Sequence, residues 1–70
     1  MNITIREGEE FIRLGQALKK AGIVGSGSDA KTLIWNGEVS VNGEIEERRG
    51  RKLYPGDKVS FEEETFQITK

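Results

Sequence analysis

At Gly37 the apolar residues of this chain change their period, and that change fixes the class of fold. Before it, Phe11, Leu14, Leu18 and Ala21 recur three or four residues apart, followed by Ala30, Leu33 and Ile34. That spacing places them on one side of a helix. After it, Val39 and Val41 alternate with Glu38 and Ser40, and Val59, Phe61, Phe66 and Ile68 continue the alternation. That is the period of half-buried strands. The pattern predicts helix one at about residues 9–21, with Gly22 as its stop, and helix two from Ser26 to near Gly37. The link between them is a few residues, so they form a helix-turn-helix-like pair. Residues 2–6 alternate as a first short strand. Asn42-Gly43 predicts a type I′ hairpin, and Pro55-Gly56-Asp57 a type II turn. The expected architecture is α+β, the helix pair packed on a small, mostly antiparallel β-sheet.

Seventy residues make at most one domain, 1–70, with too thin a core to shelter a deep pocket. The chain has no Cys and no His. Disulfides, thiolate metal sites and the commonest general base are therefore absent. An enzyme is not expected, nor a cofactor, a metal or a small-molecule substrate. No apolar run approaches the length of a membrane span and residues 1–6 do not read as a signal peptide, so a soluble, cytoplasmic monomer is expected.

The net charge of −1 conceals a segregated distribution. Residues 11–37 set Arg13, Lys19, Lys20 and Lys31 against Asp29, and residues 48–58 set Arg48, Arg49, Arg51, Lys52 and Lys58 against Asp57. The acids gather elsewhere, in Glu7/Glu9/Glu10, Glu38, Glu44/Glu46/Glu47 and Glu62–Glu64. Four cations within 48–52 repel one another, and a polyanionic backbone would relieve that repulsion. The competing reading is a solvated loop balanced by Glu44, Glu46 and Glu47. Arg13, with Gln16 and Lys20, forms a cationic stripe opposite the apolar side of the expected helix one. Ser26 and Asp29 read as helix-capping residues, while Ser28 is free to meet an anion at a helix start. Trp35 reads as a partly buried rim residue covered by Lys31, and Tyr54 as packing.

Four ordered segments resemble the S-four RNA-binding domain, the module named after small-subunit ribosomal protein four. They are Arg13-Leu14-Gly15, Ser26-Gly27-Ser28-Asp29-Ala30, Ile34-Trp35-Asn36-Gly37-Glu38-Val39-Ser40-Val41-Asn42-Gly43, and Pro55-Gly56-Asp57-Lys58-Val59. The resemblance spans about residues 11–61 and is similar in its basic loop to short stand-alone bacterial members of the YaaA/YbcJ type. Two positions depart from the family pattern: Gly15 replaces an Asp, and Gly27 replaces an Arg at the start of helix two. The resemblance implies RNA binding through the two helices and the adjacent β loop. The partner expected is structured RNA, ribosomal or transfer, or a ribosomal particle. Arg13, Lys20, Ser28, Lys31, Arg48, Arg49, Arg51 and Lys52 are the expected contacts. The alternative is a protein-binding adaptor that has lost RNA binding, motivated by Gly15, Gly27 and the net charge.

Overall fold

The computed structural model describes residues 1–70. Its elements run β1 (Asn2–Thr4), β2 (Ile12–Arg13), α1 (Leu14–Lys20), α2 (Gly27–Trp35), β3 (Val39–Val41), β4 (Glu44–Ile45), β5 (Lys52–Leu53), β6 (Lys58–Phe61) and β7 (Glu64–Thr69). Five strands form one sheet in the order β1-β7-β6-β3-β4, and β2 pairs with β5 in a separate two-stranded ladder. Only β1 runs parallel to its neighbour, β7; the other pairs are antiparallel. The α+β class read from the period change is the observed one.

The alternating residues of the sheet and the apolar stripes of both helices meet in one core. Leu14, Ala17 and Leu18 from α1 and Ala30 and Ile34 from α2 pack with Ile3, Val39, Val41, Val59, Phe66 and Ile68 from the sheet. Leu53 of β5 is also fully buried there. Burying each large aliphatic side chain stabilises the fold by roughly 1.5–3 kcal/mol. Both helices end in a Schellman motif. Ile23 N–H donates to Leu18 O and Gly22 N–H to Lys19 O, while Glu38 N–H donates to Leu33 O and Gly37 N–H to Ile34 O. The expected ends at Gly22 and Gly37 are therefore the real ones. The Ser26 side chain caps α2, accepting from Asp29 N–H at 3.2 Å.

Helix one begins later than its spacing predicts, at Leu14 instead of near residue 9. The backbone of Ile12 and Arg13 is committed to Leu53 and Lys52 across the small ladder, so helical bonds cannot start earlier. Phe11 consequently lies before the helix, half-buried, and not on its apolar stripe.

The Asn42-Gly43 turn has positive φ at both residues, +52° and +87°, as a type I′ turn requires. Asn42 also ties two turns together. Its Nδ2 donates to Asp57 Oδ1 at 3.1 Å and its Oδ1 accepts from Lys58 N–H at 2.9 Å. Asp57 Oδ2 in turn accepts from Tyr54 N–H across the Pro55-Gly56 turn. Asn42→Ala removes both side-chain bonds and leaves a β-carbon at an unfavourable φ. It should cost about 1–2 kcal/mol, read as a lower midpoint in urea denaturation with the slope unchanged.

Candidate nucleic-acid interface

The basic loop is shaped from below by a single carboxylate. The two-residue turn sets Val41 opposite Glu44 and Ser40 opposite Ile45, and Glu46 N–H donates to Val39 O. Val39 faces the core, and cross-strand partners share a face, so the Glu46 side chain points inward and is only 6% exposed. Its Oε2 accepts from Arg48 N–H and Nε, both at 3.0 Å, and its Oε1 accepts from Arg48 Nη2 at 3.1 Å and Arg51 Nη1 at 2.8 Å. The Arg48 guanidinium is the main reason the Glu46 carboxyl is lowered to about 2; burial opposes the shift and Arg51 adds to it. Glu46 thus bends residues 46–51 into a fixed turn and satisfies its own buried oxygens.

That turn docks on the start of both helices. Leu14 N–H donates to Arg51 O at 2.9 Å and Gly15 N–H to Arg49 O at 3.0 Å. Arg13 Nη1 donates to Gly50 O at 2.8 Å, and Arg49 Nη1 reaches Gly27 O at 3.4 Å. The two cationic segments, far apart in the chain, therefore form one surface. Arg13, Arg48, Gly50, Arg51 and Lys52 line a shallow concavity with no acidic residue in it. A neighbouring one is lined by Arg13, Gly15, Gln16, Lys19, Gly27 and Arg49, with Gly50 at the join. Lys52 Nζ and the Arg13 guanidinium lie 4.9 and 5.4 Å from the centre of the Phe11 ring, which fixes their direction. The carboxylates Glu62 and Glu64 lie beside Ala21 and Gly22, at the opposite end of α1.

The expected contacts divide into four groups. Arg13, Arg49 and Lys52 have no carboxylate within ion-pair distance, whereas Arg48 and Arg51 both bridge to Glu46. Arg48 still keeps 75% of its side chain in water, so it contributes to the surface while bracing it. Ser28 and Lys31 are exposed on α2 but lie outside the two concavities, with Lys31 Nζ 4.2 Å above the Trp35 ring. Lys20 turns away: its Nζ donates to Thr4 O at 2.7 Å and ties α1 to β1. The expected Arg13–Gln16–Lys20 stripe is therefore broken, because Arg13 precedes the helix and Lys20 is committed to a strand. Lys19 takes the place on the surface instead. It is four residues after Gly15, a spacing that identifies it once the true helix start is known.

The two glycines that depart from the family pattern are both beneath Arg49. A β-carbon on Gly15 would lie 2.7 Å from Arg49 Cγ, and one on Gly27 would lie 3.8 Å from Arg49 Nη1. The guanidinium brought by the loop thus stands at the start of α2, where the family pattern has its own Arg. Gly15→Ala is expected to displace the Arg49 side chain. Cγ lies near the base of that side chain, and the Arg49 backbone is held by the Gly15 N–H, so the overpacking outweighs the gain in helix propensity and thermal stability should fall by about 1–2 kcal/mol. The Arg49 Nε resonance, read by NMR, should move.

A family model described as the S4 domain matches residues 3–69. "Probable ribosome maturation protein RlbA" of Bacillus subtilis (strain 168) is 53% identical over 53 residues, which cover 76% of this chain and 75% of that protein. The solution structure of YbcJ from E. coli, described as revealing an alfaL motif involved in RNA-binding, is similar with a TM-score of 0.71 at 30% identity. That similarity covers 99% of this chain and 86% of YbcJ.

Proposed function

This chain belongs to the S4 domain family, and from that membership we propose that it is a non-catalytic, monomeric binder of structured RNA that acts on ribosomal RNA or a ribosomal particle during ribosome maturation. One observation carries the reading. The Arg13 side chain from the start of α1 bonds to the backbone of Gly50, so helix and loop cations share one face. Phosphates are its natural ligands: Arg13 and Arg49 each use one donor on a carbonyl and keep the rest of the guanidinium fork free. Contacts of this kind position a protein on RNA by its backbone and shape more than by base identity. The maturation role rests on the similarity to the Bacillus subtilis protein.

The test is co-sedimentation with ribosomal particles, followed by sequencing of RNA crosslinked to the protein in cells. Association that nuclease abolishes, with reads concentrated in ribosomal RNA, is the expected result. A protein partner retained after nuclease would favour the adaptor reading instead.

A further inference from the structure

The face of α2 beyond the basic concavity carries the largest exposed aromatic group in the molecule. Trp35 is 64% exposed, more open than the partly buried rim residue expected, while Lys31 stands over its ring as expected. Helical spacing puts it on one face with Ser28 and Lys31, three and four residues apart. That face starts at Gly27, whose carbonyl receives Arg49 Nη1. Asp29, the one acid on the helix, lies roughly opposite Lys31 around the helix axis. The face therefore reads, from one end to the other, guanidinium, hydroxyl, ammonium, indole. From Gly27 to Trp35 it spans about 12 Å.

Resting on the RNA reading above, we propose that Trp35 is a stacking platform for an unpaired nucleobase, in a strand whose backbone runs along α2 from Arg49 past Lys31. Two features select this ligand. An exposed indole beside an ammonium matches the alternation of base and phosphate in a single strand, as in other single-strand binders that combine cations with aromatic platforms. The Lys31 ammonium, 4.2 Å from the ring centre, orients the ring by cation–π attraction and stands ready for the adjoining phosphate. A fully paired helix offers no free base to stack, so the RNA element this face fits is a junction between duplex and single strand. The basic loop would hold the duplex side and α2 the unpaired side.

The chain has one tryptophan, so its fluorescence reports on this site alone. Two probe RNAs suffice: a blunt hairpin whose strands are joined by a non-nucleotide linker, so that every base is paired, and the same hairpin with a short single-stranded adenine extension. The extended hairpin is expected to quench the Trp35 emission and the blunt one to leave it nearly unchanged. Trp35→Leu should weaken binding of the extended hairpin between about fivefold and a hundredfold. It should leave the blunt hairpin unaffected, and Trp35→Phe should retain most of the affinity. Binding of the extended hairpin without quenching, and with equal affinity for the Leu variant, overturns the proposal alone. Trp35→Leu that spares both RNAs but abolishes a nuclease-resistant protein complex overturns it in favour of a protein-facing surface. Failure of the wild-type chain to bind either RNA overturns the RNA reading and this proposal together.

Discussion

The combined substitution Arg13→Ala, Arg49→Ala and Lys52→Ala should lower affinity for a ribosomal RNA fragment on the order of a hundredfold or more at moderate salt, with the fold intact. Together with Lys19, these three cations are the ones on the concave face that no carboxylate neutralises. Each contact with a phosphate releases about 0.7–0.9 of a counterion, so the slope of log affinity against log salt should become shallower by about 2–3. The structural losses are two exposed hydrogen bonds, Arg13 to Gly50 and Arg49 to Gly27, and the cation–π contacts of Arg13 and Lys52 with Phe11. Such bonds each contribute about 0.5–1.5 kcal/mol, so thermal melts should show a folded if somewhat weaker domain. Replacing Arg48 and Arg51 instead is a poorer experiment. It leaves the buried Glu46 carboxylate with only the Arg48 backbone N–H as a partner and mixes unfolding with loss of contact.

Glu46→Ala should have the largest effect on stability. It removes a buried carboxylate that accepts four hydrogen bonds, three of them from guanidinium groups. The arginines it leaves behind are more exposed than Glu46 and regain water, which limits the loss to about 2–3 kcal/mol. A domain of this size has only about 4–10 kcal/mol in total, so the melting temperature should fall by roughly 10 °C or more. The effect on RNA binding separates two ideas. If charge alone governed affinity, removing a carboxylate from a cationic face would strengthen binding. If the shape of the loop governs it, binding weakens several-fold, and that is the expected outcome.

The same carboxylate gives stability a pH dependence of known sign. Its pKa is lowered from 4.5 to about 2 in the folded protein. The unfolded chain therefore takes up the proton first as pH falls, and the folded state loses its advantage. Stability from this group is complete above about 4.5 and disappears as pH falls towards 2. Between those values the wild-type melting temperature should drop more steeply than that of Glu46→Gln.

Much of the fold was legible because local signals agreed with one another. The period change at Gly37, the paired positive φ of Asn42-Gly43 and the Pro55-Gly56 turn each specify one geometry, and all three hold. The start of helix one was not legible. Phe11 falls on the helical spacing of Leu14 and Leu18, and only a two-residue ladder with Lys52 and Leu53, far along the chain, decides otherwise. Ladders that short leave no periodicity to read.

The candidate site was legible in its charges and not in its supports. Glu46 sat within an acidic run and read as a counter-charge, yet the turn at Asn42-Gly43 already placed it opposite Val39 and hence on the buried side. The signal was present in the register. Gly15 and Gly27 read as lost contacts because their occupant, Arg49, comes from a distant loop. Lys20 could not be told from Lys19 until the true helix start showed which one faces β1.

Titration of isotope-labelled protein with a ribosomal RNA fragment, followed by backbone amide shifts, tests most directly whether the joined cationic surface is where RNA sits. Shifts confined to residues 13–19, 27–35 and 48–52, with Glu62–Glu64 and β1 unmoved, are the expected result. Shifts clustered at Glu62–Glu64 and the far end of α1, or saturable binding that leaves residues 48–52 unmoved, would contradict it.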